Sequence, residues 1–260
     1  MRVITWNVNS VRARLERLAG VLERHAPDVL CLQETKVKDE AFPHDAVVQA
    51  GYRAVTYGTG PYNGVALLSK EPLEDVMRGF PHDPVAEQPR VVAGRIGDLT
   101  VVNVYVVNGK AVGDPAYAIK LEWLELLRDW IAETWSPQDP LLVVEDFNVA
   151  PTDADVHDPE RWRERNLCST PERERVSDLL GWGLVDLHRQ ADPEAAFTWW
   201  DHRAGSFHRG WGLRIDLALG TEPVARRVAS VTVDREERKK TSGEGNPSDH
   251  APVIVDLADA

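Results

Sequence analysis

The sequence predicts an α/β fold in which two packed, mixed β-sheets are flanked by helices, and three observations carry that prediction. Short runs rich in valine, isoleucine and leucine recur along the chain and read as strands. Patterns at helical spacing fall between them. Runs as dense as LLVV, Leu141 to Val144, leave no polar face, so such strands are covered on both sides, by a second sheet and by helices.

In chain order the strands are RVITWNV, DVLCLQE, GVALLSK, VVAGRI, LTVVNVYVV, LLVVEDF, LRIDLALG and APVIVDL. VVAGRI and LTVVNVYVV are neighbours around Gly97-Asp98, and such strand pairs among the helices predict mixed sheets covered by helices. Arg14 to His25 and His44 to Ala50 read as short helices. The clearest helix runs from Pro115 to Trp135, where Ile119, Trp123, Leu127, Trp130 and Ile131 recur at helical spacing after a proline entry. Glu172 to Gly181 follows a Thr-Pro entry and is the fourth. No repeat or linker interrupts the 260 residues, so one domain spanning 1–260 is expected, with most of the nine tryptophans in its core.

Composition narrows the class. Hydrophobic residues make up 43% of the chain, enough for a sizeable core. No run of about 18 apolar residues and no basic-then-apolar leader occurs, so a cytoplasmic protein without a membrane span is expected. Cys31 and Cys168 form neither a disulfide framework nor a thiolate metal cluster. A formal net charge of -12 argues against a general nucleic-acid binder, because phosphate contacts need lysine and arginine. Arginines gather in RWRERNLCSTPERER and REERKK, yet both runs are interleaved with glutamate and read as solvated helix faces.

Polar residues collect at the ends of apolar strands. WNVNS follows RVIT, QETK follows VLCL, YVVNG follows VVNV, EDFN follows LLVV, and SDH precedes APVIV. They supply Asn7, Glu34, Tyr105, Asp146, Asn148, Asp216, Asp249 and His250, and strand ends from different segments meet at one edge of packed sheets. Carboxylate and amide oxygens suit Mg²⁺ or Mn²⁺, and a histidine can handle a proton, so the set points to metal-assisted hydrolysis.

These motifs, with YNGVALLSK, FTWWDHRAGSF, LRIDLAL and PSDHAPV, stand in an order that resembles the exonuclease III and apurinic/apyrimidinic endonuclease branch of the endonuclease/exonuclease/phosphatase superfamily. The resemblance covers almost the whole chain. It implies a DNase I-like, four-layer α/β sandwich and a monomeric DNA-repair phosphodiesterase. Such an enzyme cuts duplex DNA 5′ to abasic sites and has 3′-to-5′ exonuclease activity, with 3′-phosphatase activity a further expectation. By the same resemblance Glu34 is the chief Mg²⁺ ligand, Mn²⁺ being an alternative, with Asn7 orienting it. Asp146 activates water or protonates the leaving oxygen, and Asn148 and Tyr105 bond the phosphate. His250, oriented by Asp216, contacts the scissile phosphate, and Asp249 serves a second metal position. The implied metal set is Asn7, Glu34, Asp146, Asn148, Asp249 and His250. Trp199, Trp200 and Leu213 would meet the sugar that lacks its base, and Arg203, His208 and Arg209 the flanking phosphates.

The chain departs from the family pattern at four places. Glu145 stands where GDFN has glycine, Val107 where YVPNG has proline, Leu213 where many relatives carry tryptophan, and QPR at Arg90 where an acid-Gly-Arg is often seen. Strand alternation turns Glu145 away from Asp146, where it must find water or a cation. Two other readings follow: a phosphodiesterase for a non-DNA substrate, and a catalytically impaired paralogue that binds damaged DNA.

Overall fold

A computed structural model describes residues 1–194 and 196–259. Twelve strands run in chain order: β1 (Arg2–Asn7), β2 (Val29–Gln33), β3 (Arg53–Tyr57), β4 (Val65–Ser69), β5 (Glu74–Arg78), β6 (Val91–Ile96), β7 (Leu99–Tyr105), β8 (Leu141–Asp146), β9 (Leu184–Asp186), β10 (Asp216–Thr221), β11 (Val228–Val233) and β12 (Val253–Leu257). They form two six-stranded sheets, ordered β11-β12-β1-β2-β4-β3 and β5-β6-β7-β8-β10-β9. Within them β1 with β2 and β7 with β8 are parallel, and the other pairs antiparallel. The expected mixed-sheet sandwich is the one found.

Alternation along each strand assigns the layers. Val3 of β1, Val29 and Cys31 of β2, Val101 of β7, and Leu142 and Val144 of β8 face the opposite sheet. Ile4 and Trp6, with Leu30 and Leu32, turn the other way onto Leu18, Val21 and Leu22 of the Leu15–His25 helix. Leu141 and Val143 meet Trp123, Leu127 and Ile131 of the Pro115–Thr134 helix. Each fully buried leucine or valine contributes roughly 1.5–3 kcal/mol, so strands without a polar face are the low-energy solution.

Two of the helices carry the start signals that their sequences advertise. Asp114 caps the Pro115–Thr134 helix by accepting from Ala116 N at 2.8 Å. Ser169 and Glu172 form a capping box on the Thr170–Trp182 helix, starting it two residues before the expected Glu172. No helix among the described residues is long and apolar enough to cross a membrane.

The layer between the sheets turns polar toward one rim. Val3 is followed on the same face by Thr5 and Asn7, Cys31 by Gln33, Val101 by Asn103 and Tyr105, and Val144 by Asp146. Asn103 crosses the gap to donate to the carbonyls of Leu32 and Ala66 at 3.0 and 2.9 Å, and it accepts from Gln33 Nε2 at 2.7 Å. This bridge holds the two sheets in a fixed relation just beneath the polar rim.

Candidate active site

Register places three of the expected residues side by side. Tyr105 ends β7, Asp146 ends β8 and Asp216 begins β10; Tyr105 pairs with Asp146 across one ladder, and Asp146 with Asp216 across the next. The first sheet supplies the opposing wall. Asn7 at the end of β1 donates through Nδ2 to Glu34 Oε1 and to Asp146 Oδ2, each at 2.9 Å. Glu34, one residue past β2, has φ +53°, a left-handed turn that brings its carboxylate onto Asn7.

His250 completes the cluster. Its Nδ1 lies 3.0 and 2.9 Å from the two Asp216 oxygens, and its Nε2 lies 3.7 Å from Asp146 Oδ2. Trp6 Nε1 donates to the His250 carbonyl at 3.2 Å, and Ser248 Oγ accepts from His250 N. Asp216 is fixed in turn, since Thr198 Oγ1 accepts from both Ile215 N and Asp216 N at 3.1 Å. Just before it, the buried Arg214 pairs with Asp155 at 2.7 Å and with Asp186.

Asn148 sits on a left-handed turn, φ +51°, after Asp146. Its backbone N donates to Asp146 Oδ1 at 3.0 Å, its Nδ2 to the Val106 carbonyl at 3.1 Å, and its Oδ1 accepts from Asn108 at 2.8 Å. Lys120, fully buried on the Pro115–Thr134 helix, donates to the Asn148 carbonyl at 2.7 Å and pairs with the buried Glu172. Asp249 lies at the margin, accepting from Asn9 Nδ2 at 2.9 Å and from Trp199 Nε1 at 3.1 Å.

The electrostatics are those of crowded acids around one cation. Burial works against an imidazolium at His250, but Asp216 and Asp146 outweigh it and raise the histidine. Burial raises Asp146, with Asp216 and Glu34 adding to it against the opposing pull of His250. Glu34 is disfavoured by burial yet held below the usual range by Lys36, whose ammonium is 2.6 Å from Glu34 Oε2, and by Asn7. Burial also opposes the Asp249 charge, but His250, Asn9, His202 and Trp199 hold it down to about 2. Burial, with Glu34 beside it, keeps the Tyr105 phenol well above its ordinary value, so it is a proton donor at neutral pH.

These donors fit a hard divalent cation. Asn7 ties the Asp146 and Glu34 carboxylates together, and their oxygens are the donors on offer; His250, close to Asp146 and Asp216 but held as a cation by Asp216, has no free lone pair for the metal position expected of it. Glu34, Asp146, Asp216 and Asp249 meet His250, Lys36 and, at the margin, His202, and a cation on the Glu34 and Asp146 oxygens would offset the mutual repulsion of these carboxylates.

Two expected sugar contacts are not at the surface. Trp200 and Leu213 are fully buried, Trp200 edge-on to Phe207 and Leu213 beneath Trp199, so neither side chain can touch a sugar in this conformation. The accessible aromatic wall is built from the half-buried Trp162, Trp199 and Trp211, which with Arg161, Arg165 and Arg203 line a pocket of about 270 Å³. The Trp199 ring lies 6.5 Å from His250, which places the pocket at the rim of the cluster. Trp162, Arg161 and Arg165 come from RWRERNLC, expected to be a solvated helix face; it is a single helical turn, Pro159–Trp162, and then a loop. The overlooked signal was a tryptophan interleaved with arginines, the composition of a stacking platform. Arg203 rims the pocket while paired to Asp201, Arg209 stacks on Trp211 at 4.5 Å, and His208 faces a different cleft. Asn9, Lys36, Asn108 and Lys120 also went unsuspected, because each acts by holding another residue.

Glu145 departs from expectation. As alternation demands, it points to the helix side between its register neighbours Val104 and Leu217, both members of that apolar layer. It is fully buried, and neither carboxyl oxygen has a hydrogen-bond partner among the described residues, so it finds neither surface water nor a cation. Burial and the neighbouring Asp146 push it well above the ordinary carboxyl range.

A sandwich whose opposed sheets deliver a His-Asp pair, an asparagine-bridged carboxylate cluster and a tyrosine to one rim defines the class, a phosphoester hydrolase centre. The chain belongs to the endonuclease/exonuclease/phosphatase family, whose model matches residues 4–250. It is 33% identical to exodeoxyribonuclease III of Haemophilus influenzae over 270 residues, covering 99% of this chain and 100% of that protein. Among solved structures it is similar to the 3′ phosphatase NExo from Neisseria bound to product DNA hairpin, with 39% identity, a TM-score of 0.94 and 99% of each chain covered. An AP endonuclease from Archaeoglobus fulgidus is 34% identical with a TM-score of 0.92, again over 99% of each chain.

Proposed function

We propose that the protein is a DNA-repair phosphodiesterase that cleaves duplex DNA 5′ to abasic sites and trims 3′ ends, with Mg²⁺ or Mn²⁺ as cofactor, acting as a monomer. The observation that carries this reading is the side-by-side register of Tyr105, Asp146 and Asp216 beneath His250. The relatives described as exodeoxyribonuclease III, 3′ phosphatase and AP endonuclease support the substrate class, and the DNA hairpin held by the Neisseria protein supports DNA as partner.

Each side chain has a task set by its geometry. Asp216 holds His250 as an imidazolium whose Nε2 faces Asp146, ready to donate to a phosphate oxygen. Asp146, raised by its neighbours, takes the proton from an attacking water or returns one to the leaving oxygen. Tyr105 and Asn148 donate to non-bridging oxygens, Asn148 through the N–H that Val106 does not occupy. The pocket of Trp162, Trp199 and Trp211 receives the sugar and excludes one still carrying its base. A divalent cation, held by Glu34 and Asp146 with Asn7 orienting them, would supply Lewis-acid stabilisation of the charge that develops on the phosphoryl and leaving oxygens.

The test is a duplex with a single abasic site, incubated with Mg²⁺ and with chelator, beside an undamaged duplex and an inositol phosphate. Metal-dependent incision 5′ to the lesion is expected, and Asp146→Asn should lower its rate by about 10²- to 10⁴-fold. Wild type that binds the lesion without cutting it is the result of an impaired paralogue, and cleavage of the inositol phosphate alone that of a non-DNA substrate.

A further inference from the structure

The carboxylate expected to serve a second metal position is engaged on both oxygens. Asp249 Oδ1 accepts from Asn9 Nδ2 at 2.9 Å and Oδ2 from Trp199 Nε1 at 3.1 Å, with His202 Nε2 3.7 Å from Oδ1. The oxygen of the same Asn9 amide faces a cation. Lys36 Nζ donates to Asn9 Oδ1 at 2.6 Å and stands 2.6 Å from Glu34 Oε2. One ammonium thus joins two carboxylates of the rim, Glu34 directly and Asp249 through Asn9.

Lysine pairs at a protein surface are ordinarily loose, because both side chains give up freedom to meet. Here the backbone has set the partners in place. Asn9, Glu34 and Lys36 all take left-handed conformations, with φ of +45°, +53° and +54°. Lys36 N donates to the Asn63 carbonyl at 2.9 Å, Thr35 N to that of Gly64 at 3.0 Å, Ser10 N to that of Glu34 at 2.8 Å, and Asn9 N to Asn7 Oδ1 at 2.9 Å. Thr35 packs where residue 64 has no side chain: a Cβ on Gly64 would stand 2.2 Å from Thr35 Oγ1. Arg14 closes the other side by donating to the Asn9 carbonyl at 2.5 Å. The turn that aims Lys36 is therefore built into the fold.

We infer that the Lys36 ammonium takes the place of a second metal ion between Glu34 and Asp249, so that the centre holds one divalent cation, on Glu34 and Asp146. The inference rests on the metal-dependent reading above and gives the stoichiometry of that site. In two-metal centres the ions stand about 3.5–4 Å apart. A fixed positive charge at hydrogen-bond distance from Glu34 repels a second divalent ion from such a position, and the oxygens that ion would need are already bonded. Glu34 Oε1 and Asp146 Oδ2, which share the Asn7 amide, remain for the first. The rim then carries one cation drawn from solution and one supplied by the chain.

The test counts Mn²⁺ bound to the metal-stripped full chain by electron paramagnetic resonance, without DNA, up to about 1 mM free ion, the weak end of carboxylate-site affinity. Lys36 is partly exposed, so its replacement leaves the core intact. Wild type and Lys36→Arg, which keeps the charge, should bind one Mn²⁺ per chain. Lys36→Met should bind two, the second close enough to the first for their spins to couple, and adding Asp249→Asn should return the count to one. Two ions in wild type or in Lys36→Arg overturn the proposal. So does a single ion in Lys36→Met, even one bound more tightly, because the ammonium then only competes at the first position. A second ion that is uncoupled, or that survives Asp249→Asn, lies elsewhere and also overturns it. Wild type that binds no Mn²⁺ overturns the metal-dependent reading itself, which every other failure leaves standing.

Discussion

Glu145 and Asp146 are adjacent in sequence and opposite in circumstance. Asp146 shares the polar rim with Asn7, His250 and Asp216, whereas Glu145 lies in the helix-side apolar layer without a partner among the described residues. A carboxyl raised in the folded state binds its proton more tightly there than in the unfolded chain. Its contribution to stability is therefore fully present below the unfolded value of about 4.3 and is lost as pH rises toward the folded one. Glu145→Met, similar in volume and without a charge to bury, should raise stability at pH 7 by about 1–3 kcal/mol and flatten the decline above pH 4. Urea denaturation across that range checks it, and a Met variant less stable than wild type would mean that the carboxyl has a partner in solution. Because the side chain faces the helices, Glu145→Gly should leave the incision rate within about threefold if the strand keeps its register.

At the scale of elements, the strands missed in the sequence share one position. β3, β5, β9 and β11 are the four sheet edges, and the eight strands that were legible are the eight interior ones. Interior strands are buried on both faces and read as dense apolar runs, whereas EDVMR of β5 and VASVTV of β11 are half exposed and mixed. The site was legible for the same reason: its residues stand where interior runs stop. The supports were not, because Lys120 reads as an ordinary helix lysine until the fold sets its ammonium on the Asn148 carbonyl and Glu172. Lys120→Met alone should cost about 3–5 kcal/mol by stranding the Glu172 charge. Adding Glu172→Gln should restore folding to within about 2 kcal/mol, yet leave incision about 10- to 100-fold slow, since Asn148 still lacks its clamp. Full rescue of the rate by the double variant would show Lys120 to be a charge partner only.

For the whole molecule, the decisive relation is between the sheets, because Asn7 and Glu34 belong to one and Tyr105, Asp146 and Asp216 to the other. Asn103 spans that gap, and no strand pattern announced it, since an asparagine within VVNVYVV can equally be a surface residue. Asn103→Val removes the donor to the Leu32 and Ala66 carbonyls and one of the two acceptors of Gln33 Nε2, which keeps Thr5 Oγ1, and should cost about 2–4 kcal/mol in urea denaturation. A loss below about 0.5 kcal/mol would show that the sheets hold their spacing by apolar packing alone.

β12 lies between β1 and β11, so the first strand of the chain meets the last, and His250 stands three residues before it. The catalytic rim thus joins residues as far apart as Asn7 and His250. A polypeptide still emerging from the ribosome, short of residue 250, holds most of the carboxylates and none of the imidazole that balances them. Without residues 250–257 the rim loses at once that imidazole and the strand that pairs with β1, so its two ends stand or fall together.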